Sequence, residues 1–274
     1  MKQAIILASF GVSDPKIRAE TLDLIESEIR QNFSEIEVVQ TFTSNSIRQK
    51  FGMTSIDDLL RQFAEKKFER TIILPILLTP GEEYYNKILS AGDSFVSKSN
   101  AMRILTLPPV FSDEDEPTEN DLSALDTILK IFPFKLNEEL ILLGHGSPHE
   151  HNPTFEILQE ISDQRAKKSR KKPRINFGVF ESSDYPNFDD VLNRLKSHNA
   201  KRILLGSLLI SGGNHVEDVL NWKSKLESEG FIVRTETRGL ATFPEFRKIF
   251  IDRIQSVQPK EMEKVPLFVQ MYGY

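Results

Sequence analysis

His145, Glu181 and His215 are the residues whose types and positions in this chain could do chemistry together. His145 follows the apolar run Leu140–Leu143, Glu181 directly follows the run ending at Phe180, and His215 follows the run ending near Leu209 after the bend Ser211-Gly212-Gly213. If those runs are parallel strands, their carboxyl ends share one sheet edge, which is where open α/β sheets place their ligands. Two imidazoles and a carboxylate can hold a divalent first-row metal and leave coordination positions free for a substrate. The same groups supply bases near neutral pH, because histidine titrates there. A single histidine after a strand more often organises its loop through hydrogen bonds. Three such groups at one edge, in a chain with only five His, favour a site. His149 and His151 extend the pattern to H-x3-H-x-H, but Pro148 argues for a turn rather than a shared helical face. Both are read as rim residues, serving as auxiliary ligands or substrate contacts.

The elements that must position these groups alternate along the whole chain. Strand-like runs cover Ala4–Ala8, Ile36–Phe42, Thr71–Leu78, Arg103–Leu107, Leu140–Leu143, Ile175–Phe180 and Arg202–Leu209. Between them lie helical patterns: one opened by Ser13, Asp14 and Pro15 and carrying Leu22, Ile25 and Ile29, then Asp57–Lys67, Glu83–Val96, Thr154–Arg165, Phe188–His198 and His215–Glu229. Such alternation predicts parallel sheets flanked by helices.

The two halves also resemble each other. Ser55-Ile56-Asp57-Asp58-Leu59-Leu60 lines up with Asn187-Phe188-Asp189-Asp190-Val191-Leu192, and the same ungapped offset places Arg70 on Arg202, Leu77 on Leu209 and Gly81 on Gly213. Smaller shifts bring Phe10-Gly11 onto His145-Gly146, and Phe42-Thr43-Ser44 onto Phe180-Glu181-Ser182. The first half therefore holds Phe10, Thr43 and Glu83 at the places of the three candidate ligands, and only the second half looks equipped. The expected fold is α/β, with two similar lobes, each a parallel sheet flanked by helices, and the active site in the cleft between them. The expected division is 1–120 and 121–274, with a C-terminal helix at about 243–257 packing back on the first lobe.

Composition narrows the function classes. The 35 Lys and Arg against 40 Asp and Glu give a formal net charge of −5, which exerts no general pull toward nucleic acid or an anionic membrane. At 39% hydrophobic and 27% charged the chain is an ordinary globular one. Zero Cys excludes disulfides, thiolate metal sites, iron–sulfur clusters and cysteine nucleophiles. No stretch approaches the ~18 apolar residues of a spanning helix, so the expected setting is the cytoplasm, without membrane or nucleic-acid partners. The acidic segment Phe111–Asp121 is expected to be a solvated connection, and the basic run Lys167–Arg174 a charged turn. Gly144-His145-Gly146 lacks the spacing of a phosphate loop. Thr79-Pro80-Gly81-Glu82-Glu83-Tyr84 is a turn and acidic helix start that could line a substrate pocket. Trp222, Lys223 and Arg238 could meet a large anionic ligand, although packing and surface roles are commoner for such residues.

The motifs taken in order resemble the anaerobic cobalt chelatases of the CbiK type. Ala8-Ser9-Phe10-Gly11-Val12-Ser13 is similar to that family's S-F-G-T-S, Pro80-Gly81-Glu82-Glu83-Tyr84 to P-G-E-E-Y, and Gly144-His145-Gly146-Ser147 to G-H-G-T. Val179-Phe180-Glu181 followed by Tyr185-Pro186 resembles V-E-G-Y-P with a short insertion. Ser211-Gly212-Gly213-Asn214-His215 resembles A-G-D-H, and Trp222-Lys223-Ser224-Lys225-Leu226-Glu227 resembles W-K-S-x-L-E. Each motif alone is weak; six in order, from the first strand to about Gly239, are specific.

The resemblance implies a lyase-class sirohydrochlorin cobaltochelatase serving cobalamin-type tetrapyrrole biosynthesis. It inserts a divalent metal into sirohydrochlorin: Co2+ first, with Fe2+ or Ni2+ as alternatives in a ferrochelatase or nickel chelatase. It implies His145, Glu181 and His215 as metal ligands, with His145 and His215 also accepting pyrrole protons, and no organic cofactor. Homo-oligomerisation stays open. The chain departs from the family pattern at Leu77, where a further histidine often stands, and at Asn214, where the family has Asp. A non-catalytic metal or tetrapyrrole carrier is the principal rival, and a metal-dependent hydrolase ranks below it.

Overall fold

The alternating runs form two parallel four-stranded sheets with the same strand order. The computed structural model describes residues 2–258 apart from 115, 136, 148–150 and 169–173. The first sheet runs β2-β1-β3-β4, built from β1 (Gln3–Ser9), β2 (Glu37–Phe42), β3 (Arg70–Pro75) and β4 (Arg103–Thr106). The second runs β6-β5-β7-β8, from β5 (Glu139–Gly144), β6 (Ile175–Val179), β7 (Arg202–Ser207) and β8 (Ile232–Glu236). All pairings are parallel, with Ala4 opposite Glu37 and Thr71, and Leu140 opposite Ile175 and Leu204. The central strands β1 and β5 are apolar almost throughout and buried, as strands covered on both faces must be.

The helices follow from local chemistry. The Asp14 side chain caps α1 (Pro15–Ala19) by accepting the amides of Lys16 and Ile17, with Pro15 in the first turn. The expected single helix breaks there, and α2 (Leu22–Asn32) starts anew. The chain leaves the helical conformation at Thr21, with φ of −134° and ψ of −85°, while the Thr21 hydroxyl donates to the Ile17 carbonyl at 2.6 Å. Next come α3 (Asn45–Lys50) and α4 (Ile56–Glu65). The run Glu83–Val96 is also not one regular helix: Glu83–Leu89 is π-helical and passes into α5 (Ser90–Lys98). The later helices are α6 (Glu119–Ile131), α7 (Thr154–Lys168), α8 (Phe188–Ser197), α9 (Val216–Ser228) and α10 (Pro244–Ser256). Among the described residues no helix is long and apolar enough to cross a membrane.

The internal resemblance has structural content. Ser55 caps α4 and Asn187 caps α8 through their side chains, and Arg70 and Arg202 open the equivalent strands β3 and β7. The described residues divide into two units, one holding 2–110 and 244–258, the other lying within 111–243. Within the first unit α10 packs on α2, where Arg247 pairs with Glu28 at 2.6 Å, and the Arg253 guanidinium donates to the carbonyls of Pro108, Pro109 and Val110.

The acidic segment Phe111–Asp121 is not solvated throughout, contrary to expectation. Phe111 is in the core, and Asp121 is buried because it accepts the amides and hydroxyls of Ser112 and Thr118 at the start of α6. Of the basic run, Lys167 and Lys168 end α7, and 169–173 lie outside the described residues.

One ion pair ties β8 to the segment entering β5. Arg234 donates to both oxygens of Glu138 at 2.9 and 2.6 Å, and these hydrogen bonds hold the buried Glu138 carboxyl down at about 2. Arg234→Ala should lower the stability of the protein by about 2 kcal/mol at neutral pH, less than for a fully buried pair because Arg234 is 39% exposed. Since the carboxyl titrates lower in the folded state, this stabilisation is present above its ordinary 4.5 and is lost as pH falls toward about 2. Urea unfolding of parent and variant across that range should show the difference shrinking as acid is added.

Candidate metal centre

Sheet order brings the predicted groups to one edge. With β5 between β6 and β7, the residues following the three strands are neighbours, although long stretches of chain separate them. The ladder runs on past the strand ends: the Phe180 amide donates to the Gly144 carbonyl at 3.0 Å, the Glu181 amide to the His145 carbonyl at 3.1 Å, and the Leu208 amide to the Leu143 carbonyl at 2.7 Å. Gly146 has φ of 79°, and a Cβ there would stand 2.9 Å from Val179 Cβ and 3.1 Å from Glu181 Cβ. Only glycine lets the two loops approach this closely. The β7 chain turns at Gly212 and reaches His215 in the 3-10 turn Gly213–His215 that leads into α9.

The two imidazoles meet. Their ring centroids are 4.9 Å apart at 83°, and the His215 ring lies parallel to Phe180 at 5.6 Å. Each ring has its Nδ1 engaged: His145 with the Gly146 carbonyl at 3.0 Å, His215 with a carboxylate oxygen of Asp218 at 2.8 Å. Carbonyl and carboxylate oxygens only accept, so Nδ1 carries the hydrogen in both rings. The neutral rings then hold their lone pairs on Nε2, as in metal-binding histidines, whose second nitrogen donates to an oxygen. Glu181 reaches the same edge through its backbone, but its carboxylate accepts from the Ser183 hydroxyl at 3.2 Å. Among the described residues no three His, Asp or Glu side chains already stand as a closed ion site. The imidazole pair is assembled; the carboxylate is adjacent and turned to Ser183.

The other singled-out residues have different roles. His151 is not an auxiliary ligand here, because its Nδ1 bonds Asp184 at 2.9 Å and its Nε2 bonds Glu156 at 2.6 Å. His149 lies outside the described residues. Trp222 is buried, edge-on to Phe188, and fills the space above Gly178, where a Cβ would stand 2.8 Å from its ring. Lys223 pairs with Glu227 and Arg238 with Glu236.

In the first unit the counterpart positions also converge. The Thr43 amide donates to Ser9 and the Ser44 amide to Phe10, repeating the ladder extension of the second unit. The Glu83 carboxylate, at the start of the π-helix, is held by the Thr43 hydroxyl and by Lys87. Phe10, in the place of His145, is half exposed. Sequence reasoning missed Asp184 and Asp218. Asp218 had a legible signal, one turn after His215 on the expected helix; Asp184 had none.

His151 provides a check on this geometry. Bonding two carboxylates requires hydrogens on both ring nitrogens, and the Asp184 and then the Glu156 hydrogen bond raise its pKa above the ordinary 6.5. This stabilisation is complete below 6.5 and is lost as pH rises through the raised value. An NMR titration of the His151 ring should place its midpoint above 6.5, and Glu156→Gln should move it downward.

Comparison with known proteins accords with this fold. The family model for the cobalt chelatase (CbiK) matches residues 3–258. The sirohydrochlorin cobaltochelatase CbiKC of Nitratidesulfovibrio vulgaris is 26% identical over 264 residues, covering 92% of this chain and 89% of its own. The sirohydrochlorin cobaltochelatase of Salmonella typhimurium is 21% identical over 278 residues, covering 96% and 99%. Among solved structures, SirB from Bacillus subtilis with Fe3+ shares the fold at a TM-score of 0.67 and 15% identity, over 93% of this chain and 95% of that one. The sirohydrochlorin chelatase SirB from Bacillus subtilis subspecies spizizenii in complex with cobalt does so at 0.64 and 15%, with the same coverage. A family match that runs from the first strand through the last described helix, over a chain with this paired-sheet fold, leaves one conclusion: the chain belongs to the cobalt chelatase (CbiK) family.

Proposed function

We propose that this chelatase inserts Co2+ into sirohydrochlorin, with His145, Glu181 and His215 as the groups that receive the metal. The observation that carries the assignment is the imidazole pair, with rings 4.9 Å apart and both Nδ1 atoms committed to oxygen acceptors. Two Nε2 lone pairs are thereby presented at one sheet edge. Imidazole ligands replace metal-bound waters while keeping coordination positions open, and Glu181 adds a hard oxygen donor once it leaves Ser183. The two relatives named for cobalt and sirohydrochlorin support this substrate pair. Fe2+ and Ni2+ suit the same donor set, so the preference for Co2+ is the part of the proposal most open to metal supply.

Insertion must also remove two pyrrole protons. As each metal–imidazole bond breaks in favour of a macrocycle nitrogen, the freed Nε2 is the nearest base, and proton and metal exchange places with charge balanced. Behind its Nδ1 His215 has the Asp218 carboxylate, whereas His145 has a neutral backbone carbonyl. No organic cofactor is needed for this exchange.

An anaerobic assay of purified protein with sirohydrochlorin and Co2+, followed by absorption at catalytic enzyme concentration, should show turnover above the uncatalysed rate. The triple variant His145→Ala, Glu181→Ala, His215→Ala should abolish that gain; an unchanged rate would show the site to lie elsewhere. A spectral change that stops at one equivalent would mean binding without catalysis. Asp218→Ala, which removes the acceptor behind His215, should weaken Co2+ binding by roughly 10- to 100-fold in calorimetric titration.

A further inference from the structure

We propose that Asp184 is a positioning residue that locks the His145 loop to the Glu181 loop, with His151 as its outer support, and so sets the affinity of the site for metal. This rests on the assignment of His145 and Glu181 as ligands. The Asp184 side chain is 1% exposed and is crowded with donors. One oxygen accepts the Ser147 amide at 2.7 Å; the other accepts the Tyr185 amide at 2.8 Å and the His151 ring at 2.9 Å. Three donors offset the cost of burying a carboxylate, and charge-assisted bonds of this kind are among the strong ones.

The position of Asp184 gives these bonds a purpose beyond packing. The Glu181 amide donates to the His145 carbonyl at 3.1 Å, and the Asp184 amide to the Glu181 carbonyl at 3.2 Å. The Glu181–His145 bond follows the Phe180–Gly144 bond as the last main-chain rung, among the described residues, between the segments bearing two ligands. Asp184 extends the tie beyond it through its side chain, onto Ser147, two residues past His145. Its oxygen also lies 3.2 Å from where a Cβ on Gly146 would be, so it closes against the narrowest approach of the loops. His151 then ties Asp184 to Glu156 at the start of α7, with its raised pKa in keeping with that bridging place. In the V-E-G-Y-P pattern that this segment resembles, one residue stands between Glu and Tyr. Here Ser182, Ser183 and Asp184 do, so the lock belongs to this chain's longer loop.

Asp184→Asn keeps the volume but turns an NH2 toward one set of donors. Titration with Co2+ alone should give a dissociation constant raised about tenfold, the size typical of outer-sphere changes at metal sites. In turnover, KM for Co2+ should rise in parallel while kcat changes less than about twofold, the pattern of a lost binding term. The Ser147 amide should exchange faster with solvent. His151→Ala, at a half-exposed position that tolerates truncation, should weaken Co2+ binding about threefold, a smaller share of the same outer-sphere range.

Asp121→Asn is the comparison for general loosening, since Asp121 is an equally buried acceptor in the same unit that makes no contact with the metal loops. It should lower the melting temperature and leave Co2+ affinity unchanged. Wild-type Co2+ affinity in either folded variant, Asp184→Asn or His151→Ala, overturns the proposal, as does an equal loss in Asp121→Asn. His145→Ala in the same titration separates the two readings. If it binds Co2+ normally the ligand assignment fails, and if it loses binding while the Asp184 and His151 variants keep it, only the lock fails.

Discussion

Main-chain hydrogen bonds that continue past the carboxyl ends of β5, β6 and β7 are the interaction on which the site depends. They turn a sheet edge into a fixed platform, so that residues far apart in the chain keep a set separation at the level of the backbone. A parallel sheet is suited to this, because all its strands end on the same side and the loops leaving neighbouring strands start about one strand spacing apart. Gly146 narrows that spacing further by giving up its own side chain.

On that platform the imidazoles are aimed by oxygen atoms rather than by packing alone. A carbonyl one residue on and a carboxylate one helical turn on commit both Nδ1 atoms, and the Nε2 lone pairs follow. Phe180, stacked on His215, limits the tilt of that ring.

The same frame occurs twice and is furnished differently. Strand order, the caps of α4 and α8, and the ladder extensions repeat between the units. In the first unit Glu83, at the place of His215, is held by Thr43 and Lys87, and Phe10 takes the place of His145. One fold thus presents an imidazole pair in one unit, and a clamped carboxylate and a half-exposed phenyl ring in the other.

The parallel sheets were legible in the sequence, because buried strands read as continuous apolar runs and their alternation with helical patterns leaves little choice of architecture. So was the gathering of His145, Glu181 and His215 at one sheet edge, because groups that follow neighbouring parallel strands end on the same side. Elements without a periodic apolar signature escaped it: β8, whose first residue is 60% exposed, and α6, hidden behind an acidic stretch whose Asp121 turned out to be a buried cap. The break between α1 and α2 at Thr21 escaped it too, since apolar spacing carries no record of one residue's backbone angles. It took the folded structure to show which imidazole nitrogens are hydrogen-bonded, that His151 is bound at both nitrogens, and that Glu181 rests on Ser183. Those outcomes depend on donors and acceptors brought together from different loops, and a linear sequence records which groups exist without recording which of them meet.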